Sequence, residues 1–186
     1  MAFQSFSSSS SFSYGFIYDV FLNFCGDDTR FHFTGNLYKA QSDKGIRVFI
    51  NDKELQRGDK ITPSLMKAIE DSRIAIPVFS KNYAFSSFCL DELVNIIDGY
   101  GAKGRLVLPV FYDVDPSHVR HQIGSYGEAI AMHETRLKNN KEMYINNMDR
   151  MRKWKMALNQ AANLSGYHFN HGYPTLLLFC HLNYML

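Results

Sequence analysis

The chain has 186 residues and a formal net charge of +2, which is one domain's worth of sequence and too weakly basic to argue for nucleic acid or an anionic membrane surface. Hydrophobic residues make up 46% and aromatics 15%, enough for a packed core and against bulk disorder. Cys25, Cys89 and Cys180 form no CxxC pair, which fits a reduced intracellular compartment better than a disulfide framework, and no run reaches the ~20 apolar residues of a membrane span.

Residues 1–15 are Ser-rich, with no Lys, no Arg and no continuous apolar stretch. They match neither a secretory signal nor a transit peptide and are expected to form a disordered leader. A domain over residues 16–169 follows. Its first element is an apolar strand, "YDVFLNF" (Tyr18 to Phe24), ended by "CGDD". The next stretch places Phe33, Leu37 and Ala40 at helical spacing, with Asp27 or Asp28 as a natural N-cap. "IRVFI" (Ile46 to Ile50) is a second strand, and Asn51 to Ile61 is a long charged loop. Thr62 and Pro63 make an N-cap and N1 pair opening a helix.

"IAIPVFS" (Ile74 to Ser80) is a third strand, and "CLDELVNIID" (Cys89 to Asp98) a helix. "RLVLPVFYDV" (Arg105 to Val114) is a fourth strand, and Asp115 with Pro116 repeats the cap signal. Two helices close the pattern, the second with Met151, Trp154, Leu158 and Ala161 on one face. Residues 170–186 are apolar without a clear partner and are expected to form a tail outside the core.

Strands apolar along their whole length, alternating with helices, argue for a parallel sheet covered on both faces. A fifth strand is required but has no legible position. Ligands of such sheets sit outside the strands' C-terminal ends, where the order reverses. With the first strand central, that crevice lies between "CGDDTR" and "SKNYAFSSFC", and the second loop leads directly into "CLDELVNIID". Leu90, Leu93, Val94 and Ile97 form the stripe expected to face the sheet. Asp91 then falls on a polar strip with Asn95 and Asp98, and Glu92 on a flank near Phe88 and Cys89. Neither carboxylate is expected in the buried stripe. The spacing leaves Glu92 open between a group that does chemistry and a solvated helix face.

Other chemistries are poorly supported. No GxxxxGK[ST] occurs, and a phospho-acceptor domain needs an Asp where the third strand ends in Ser80. His168, His171, Cys180 and His181 match no standard zinc spacing. Cys25 and Cys89 have no histidine placed by sequence to make either a nucleophile.

"YDVFLNFCGDDTR", "KELQRGDKI", "SLMKAIEDSRIAIPVFSKNYAFSSFCLDELV" and "LPVFYDVDPSHVR" together resemble the TIR (Toll/interleukin-1 receptor) domain of plant immune proteins, over roughly Tyr18 to Phe169. The resemblance implies a flavodoxin-like open parallel sheet of order 2-1-3-4-5. It also implies self-association with other TIR domains, as homo- or hetero-oligomers, and cleavage of NAD+ or NADP+ at the nicotinamide–ribose bond in innate immune signalling. NAD+ would be the substrate, with no cofactor and no metal. The catalytic glutamate of the family's "CLDEL" motif corresponds to Glu92. Phe24 and Phe88 would flank the nucleotide, with Cys25 and Gly26 beside it. Ser86 would hydrogen-bond it, Arg30 would meet a phosphate, and Asn51 to Ile61 would gate the crevice and touch a neighbouring subunit.

A single carboxylate suits that chemistry, because nicotinamide leaves neutral from a cationic pyridinium and needs no general acid. The chain departs from the family at three places. Cys25 replaces a usual Arg, Phe88 a usual Trp, and Gly35-Asn36 a Ser-His pair of the self-association interface. These changes weaken the expected activity and leave a non-catalytic interaction module that binds other TIR domains as the alternative. The expected location is the cytoplasm, or the nucleus as well, for a TIR-only protein or a truncated receptor.

Overall fold

The structure, a computed structural model, describes residues 15–50, 62–101, 104–138 and 144–170. Strand β1 (Tyr18–Phe24) leads into α1 (Gly26–Thr29), a π-helical turn (Arg30–Thr34) and α2 (Gly35–Ser42), which run end to end. Strand β2 (Val48–Ile50), α3 (Pro63–Glu70), β3 (Ser72–Phe79) and α4 (Ser87–Asp98) follow, with a 3-10 turn at Tyr83–Phe85 ahead of α4. The remainder is β4 (Leu106–Val107), β5 (Val110–Tyr112), α5 (Pro116–His121), α6 (Ser125–Lys138), α7 (Tyr144–Ala161) and β6 (Tyr167–Phe169).

The sheet is parallel throughout, in the order β2-β1-β3-β5-β6, with β4 also on β3. The expected fourth strand is therefore two segments, interrupted at Leu108 and Pro109. Leu106 and Val107 pair with Ile74 and Ala75, and Val110 and Phe111 with Val78 and Phe79. Pro109 has no N–H to donate to a ladder. With β4 and β5 counted as one strand, the order is the expected 2-1-3-4-5.

The fifth strand is Tyr167–Phe169, paired with Val110–Tyr112. Its entry depends on Gly166, because a Cβ there would lie 2.4 Å from the Pro109 carbonyl oxygen. That close approach lets Tyr167 N–H donate to the same oxygen at 2.9 Å.

β1 is buried over its last five residues, so both of its faces are core. Val20, Leu22 and Phe24 pack with Phe33 and Leu37 of the first helical segment. On the opposite face Phe21 meets Leu65 and Ile69 of α3 and Ile96 of α4. Strand alternation sends Asn23 to that second face as well. Farther along it, Phe79, Leu90 and Leu93 pack against Trp154 and Leu158 of α7. Met151, Trp154, Leu158 and Ala161 are all buried, as their spacing predicts.

Thr62 caps α3 by accepting from Leu65 N–H at 3.3 Å, and Asp115 caps α5 by accepting from Ser117 N–H at 2.7 Å. The first helix differs from expectation. Its N-cap position is Cys25, which makes no side-chain cap bond. The helix also widens at Arg30–Thr34, where Gly35 is needed, since a Cβ there would lie 2.4 Å from the Arg30 carbonyl oxygen. Residues 1–14 of the leader, the charged loop Asn51 to Ile61 and the tail from residue 171 lie outside the described residues. Among the described residues, no helix is long and apolar enough to cross a membrane.

Candidate active site

Helix α4 begins at the C-terminal ends of β1 and β3, where the order of strands reverses. Ser86 is its N-cap, its Oγ accepting from Cys89 N–H at 3.3 Å. The buried face of the helix is Cys89, Leu90, Glu92, Leu93 and Ile96. It is rotated from the expected stripe of Leu90, Leu93, Val94 and Ile97, because Val94 and Ile97 are only partly buried. Glu92 is thus not on a flank but in the core, 3% exposed.

One residue accounts for that placement. Asn23, fully buried near the end of β1, donates from Nδ2 to Glu92 Oε2 at 2.5 Å. The same amide nitrogen lies 3.5 Å from the Cys89 carbonyl oxygen. Tyr83 donates its hydroxyl to Asn23 Oδ1 in a short hydrogen bond and lies 3.2 Å from the Cys89 carbonyl. Glu92 Oε1 is buried and has no hydrogen-bond partner among the described residues. Burial pushes the Glu92 carboxyl up to about 8, against the opposing Asn23 hydrogen bond and with a further upward push from Asp91. The neutral acid is therefore its resting form at neutral pH.

Asp91, adjacent in sequence, has a different environment. It accepts from Arg150 Nε at 2.9 Å, closely from the second guanidinium nitrogen, and from Trp154 Nε1 at 2.8 Å. The Arg150 guanidinium lies over the Trp154 ring, 4.7 Å from its centroid. Asp91 is therefore an anchor between α4 and α7, not part of a solvated strip.

The other expected site residues divide between the faces of the sheet. Cys25 is buried on the α4 side, in the same packing cluster as Cys89. The Cys25 thiol, burial and Glu92 together raise the Cys89 thiol well above its usual range. Cys89 Sγ also donates to the Phe24 carbonyl at 3.3 Å. Phe24 packs on the α2 side, where the Arg30 guanidinium lies 5.2 Å from its ring centroid. The Arg30 side chain also covers Gly26, where a Cβ would lie 3.2 Å from Nε. Phe88 packs against the cluster of Phe21, Leu65 and Ile96 on the α3 side. Cys25, Ser86 and Glu92 therefore converge on Cys89, Phe24 with Arg30 and Gly26 forms a second group, and Phe88 packs with a third cluster.

Asn23, Tyr83 and Asp28 are the polar residues that the sequence did not single out for the site. The one sequence signal for Asn23 is that it is a polar residue inside an otherwise apolar strand end. Asp28 accepts from Ser80 Oγ and from Asn82 N–H, both at 3.0 Å. It thereby ties the loop after β1 to the loop after β3 across the crevice.

The profile of the TIR domain family matches residues 17–186. Over 161 residues the chain is 51% identical to disease resistance protein RUN1 of Vitis rotundifolia, covering 85% of this chain and 11% of that protein. It is 49% identical over 158 residues to TMV resistance protein N of Nicotiana glutinosa, covering 85% of this chain and 13% of that one. The chain thus spans about a tenth of the length of these relatives. Its backbone is similar to the TIR domains of the activated Roq1 resistosome directly recognizing the pathogen effector XopQ. The TM-score is 0.76 at 43% identity, over 91% of this chain and 99% of that one. With a family profile over nearly all of its length and relatives of this identity, the chain belongs to the TIR domain family, of the kind that plant disease-resistance proteins carry.

Proposed function

We propose that the chain is a TIR-domain NAD+ nucleosidase, with Glu92 as its catalytic carboxylate, acting in plant immune signalling after self-association. The observation that carries this reading is a buried glutamate with one oxygen held by Asn23 and the other unpartnered. It stands at the end of the sheet where α/β folds bind ligands. An unpartnered buried polar atom is costly, and a ribose hydroxyl, both donor and acceptor, can satisfy it.

Cleavage of the nicotinamide–ribose bond develops positive charge at the anomeric carbon, and a carboxylate beside that carbon stabilises it. The nicotinamide departs with the bonding electron pair and becomes neutral, so its departure needs no general acid, and water adds to the anomeric carbon and releases a proton. Glu92 rests as the neutral acid, but a cationic pyridinium placed beside it favours ionisation. Substrate binding would thus form the charged group where it is needed. Arg30, stacked on Phe24, is the candidate for the pyrophosphate, with Gly26, Cys25, Ser86 and Phe88 as further contacts. The solved relative is described as an activated resistosome containing TIR domains, which supports assembly with other TIR domains as the active state. The cytoplasm, with the nucleus, is the location in keeping with this role.

The test is nicotinamide release from NAD+ and NADP+ across a wide range of protein concentration. The expected result is activity per molecule that rises with concentration and is lost in Glu92→Gln. Wild-type protein inactive at every concentration would overturn the enzyme reading. The burial of Glu92 favours the second reading in that event, an interaction module in which the carboxyl only packs.

A further inference from the structure

We propose that Asn23 is the positioning residue of Glu92, holding Oε2 so that Oε1 alone is presented to the substrate, with Tyr83 locking the Asn23 amide in place. This rests on the reading of Glu92 as the catalytic carboxylate. The chain's own polar network carries it.

The orientation of the amide follows from its neighbours. The Cys89 carbonyl can only accept, and it lies 3.5 Å from Asn23 Nδ2, so the NH2 side of the amide faces both that carbonyl and Glu92 Oε2. The carbonyl side of the amide then faces Tyr83, whose single hydroxyl proton is directed at Asn23 Oδ1. Tyr83 is itself fully buried, and burial pushes its phenol well above the usual range, so it remains a donor. Each group's role is therefore determined: Tyr83 donates to Asn23, and Asn23 donates to Glu92.

The state of the carboxyl follows in turn. Oε2 accepts from Asn23, a role that a carbonyl oxygen fills better than a hydroxyl oxygen, which favours the proton of the neutral acid on Oε1. That oxygen is the buried, unpartnered one. When the proton leaves, the Asn23 N–H supports the negative charge from behind, since a hydrogen bond to the charged form favours it. Asn23 would thus fix the angle of the carboxyl and reduce the cost of ionising it, without touching the substrate. The residues that share this space from β1, α4 and the turn before it are Cys25, Cys89, Asp91 and Tyr83. Among the described residues the donor to Glu92 is Asn23.

The experiment compares wild type, Asn23→Leu and Tyr83→Phe in the full chain, with circular dichroism as the check on folding. Asn23→Leu keeps the branched shape, with a somewhat larger side chain, and removes the donor. The expected result is kcat lowered about 10- to 100-fold with KM changed less than about threefold. The titration of the Glu92 carboxyl should move to higher pH, read by 13C NMR of glutamate-labelled protein and assigned with Glu92→Gln. Tyr83→Phe, which removes one oxygen, should shift both readouts the same way by less, and it decides the matter if Asn23→Leu does not fold. An active wild type with kcat and the Glu92 titration unmoved in the folded variants overturns the role of Asn23 alone. A wild type that releases no nicotinamide overturns the catalytic reading and this role together, so the two failures are told apart by the wild-type assay.

Discussion

Trp154 donates its indole N–H to Asp91 Oδ1 at 2.8 Å, a bond that joins the middle of α7 to the first turns of α4. Trp154 is 1% exposed, so its N–H has no water to turn to if the carboxylate is removed. Arg150, on the same carboxylate, is more exposed and can be resolvated. Asp91→Ala should therefore lower stability by about 2 kcal/mol, most of it from the stranded indole donor. Urea unfolding measures this. A change below about 0.5 kcal/mol would return Asp91 to the solvated strip that its spacing suggested.

Glu92 predicts a pH dependence of stability. Its carboxyl titrates near 8 when folded and near its ordinary value of 4.5 when unfolded. A raised native value means that the native state holds the proton over that interval, while the unfolded chain has released it. The associated stability is complete below the unfolded value and declines as pH rises towards about 8. Glu92→Gln mimics the neutral acid at every pH. Its stability relative to wild type should improve by about 1 kcal/mol per pH unit across the interval, then level off. Parallel stability curves for the two proteins would show that Glu92 does not titrate as a buried acid.

The same group predicts the rate profile of the proposed reaction. If the carboxylate form is required, kcat/KM should climb with pH and level off above about 8, since this quantity reports the free enzyme. The kcat profile should have its limb at lower pH, because the cationic substrate favours ionisation in the complex. Profiles for kcat/KM that stay flat between about pH 6 and 9 would assign the rate to another group.

Gly35 predicts a substitution of unexpected sign. Within an ordinary helix Gly→Ala gains about 1 kcal/mol. Here the added Cβ would lie 2.4 Å from the Arg30 carbonyl oxygen, so the π-helical turn must shift to admit it. Gly35→Ala should therefore lose about 1 to 2 kcal/mol, as overpacked sites do. Restoring the family's Ser-His pair at Gly35-Asn36 should carry the same penalty. Thermal melting decides this, and a rise in midpoint would show that the turn reverts to regular helix without cost.

The fold was legible where burial made the sequence continuous. β1 and β3 are covered on both faces, so their apolar runs announce them, and the caps at Thr62 and Asp115 are local chemistry. β6 was not legible, because three residues gain strand geometry only by pairing with Val110–Tyr112, a long-range event. Pro109 did indicate an interruption, but within an apolar run it read as one strand. In the site, the family resemblance pointed to Glu92 as the candidate, while periodicity misplaced its side chain on a flank of the helix. Counting a carboxyl as polar rotates the inferred face of α4 away from Glu92. Only the donor on the neighbouring strand, Asn23, makes its burial tolerable, and no pattern along one helix can register a partner 69 residues away.

The carboxylate of Asp28 clasps two donors from the far side of the crevice, Ser80 Oγ and Asn82 N–H. The Asn82 bond is exposed and the Ser80 bond part-buried, and at the exposed one water can replace the protein partner at small net cost. Parting these two segments is then a local opening far shallower than unfolding of the sheet beneath them. The chain thus separates two demands that usually conflict. Its Glu92 carboxyl is kept dry by a buried strand and helix, while the segments that follow β1 and β3 are joined by a clasp that solvent can loosen.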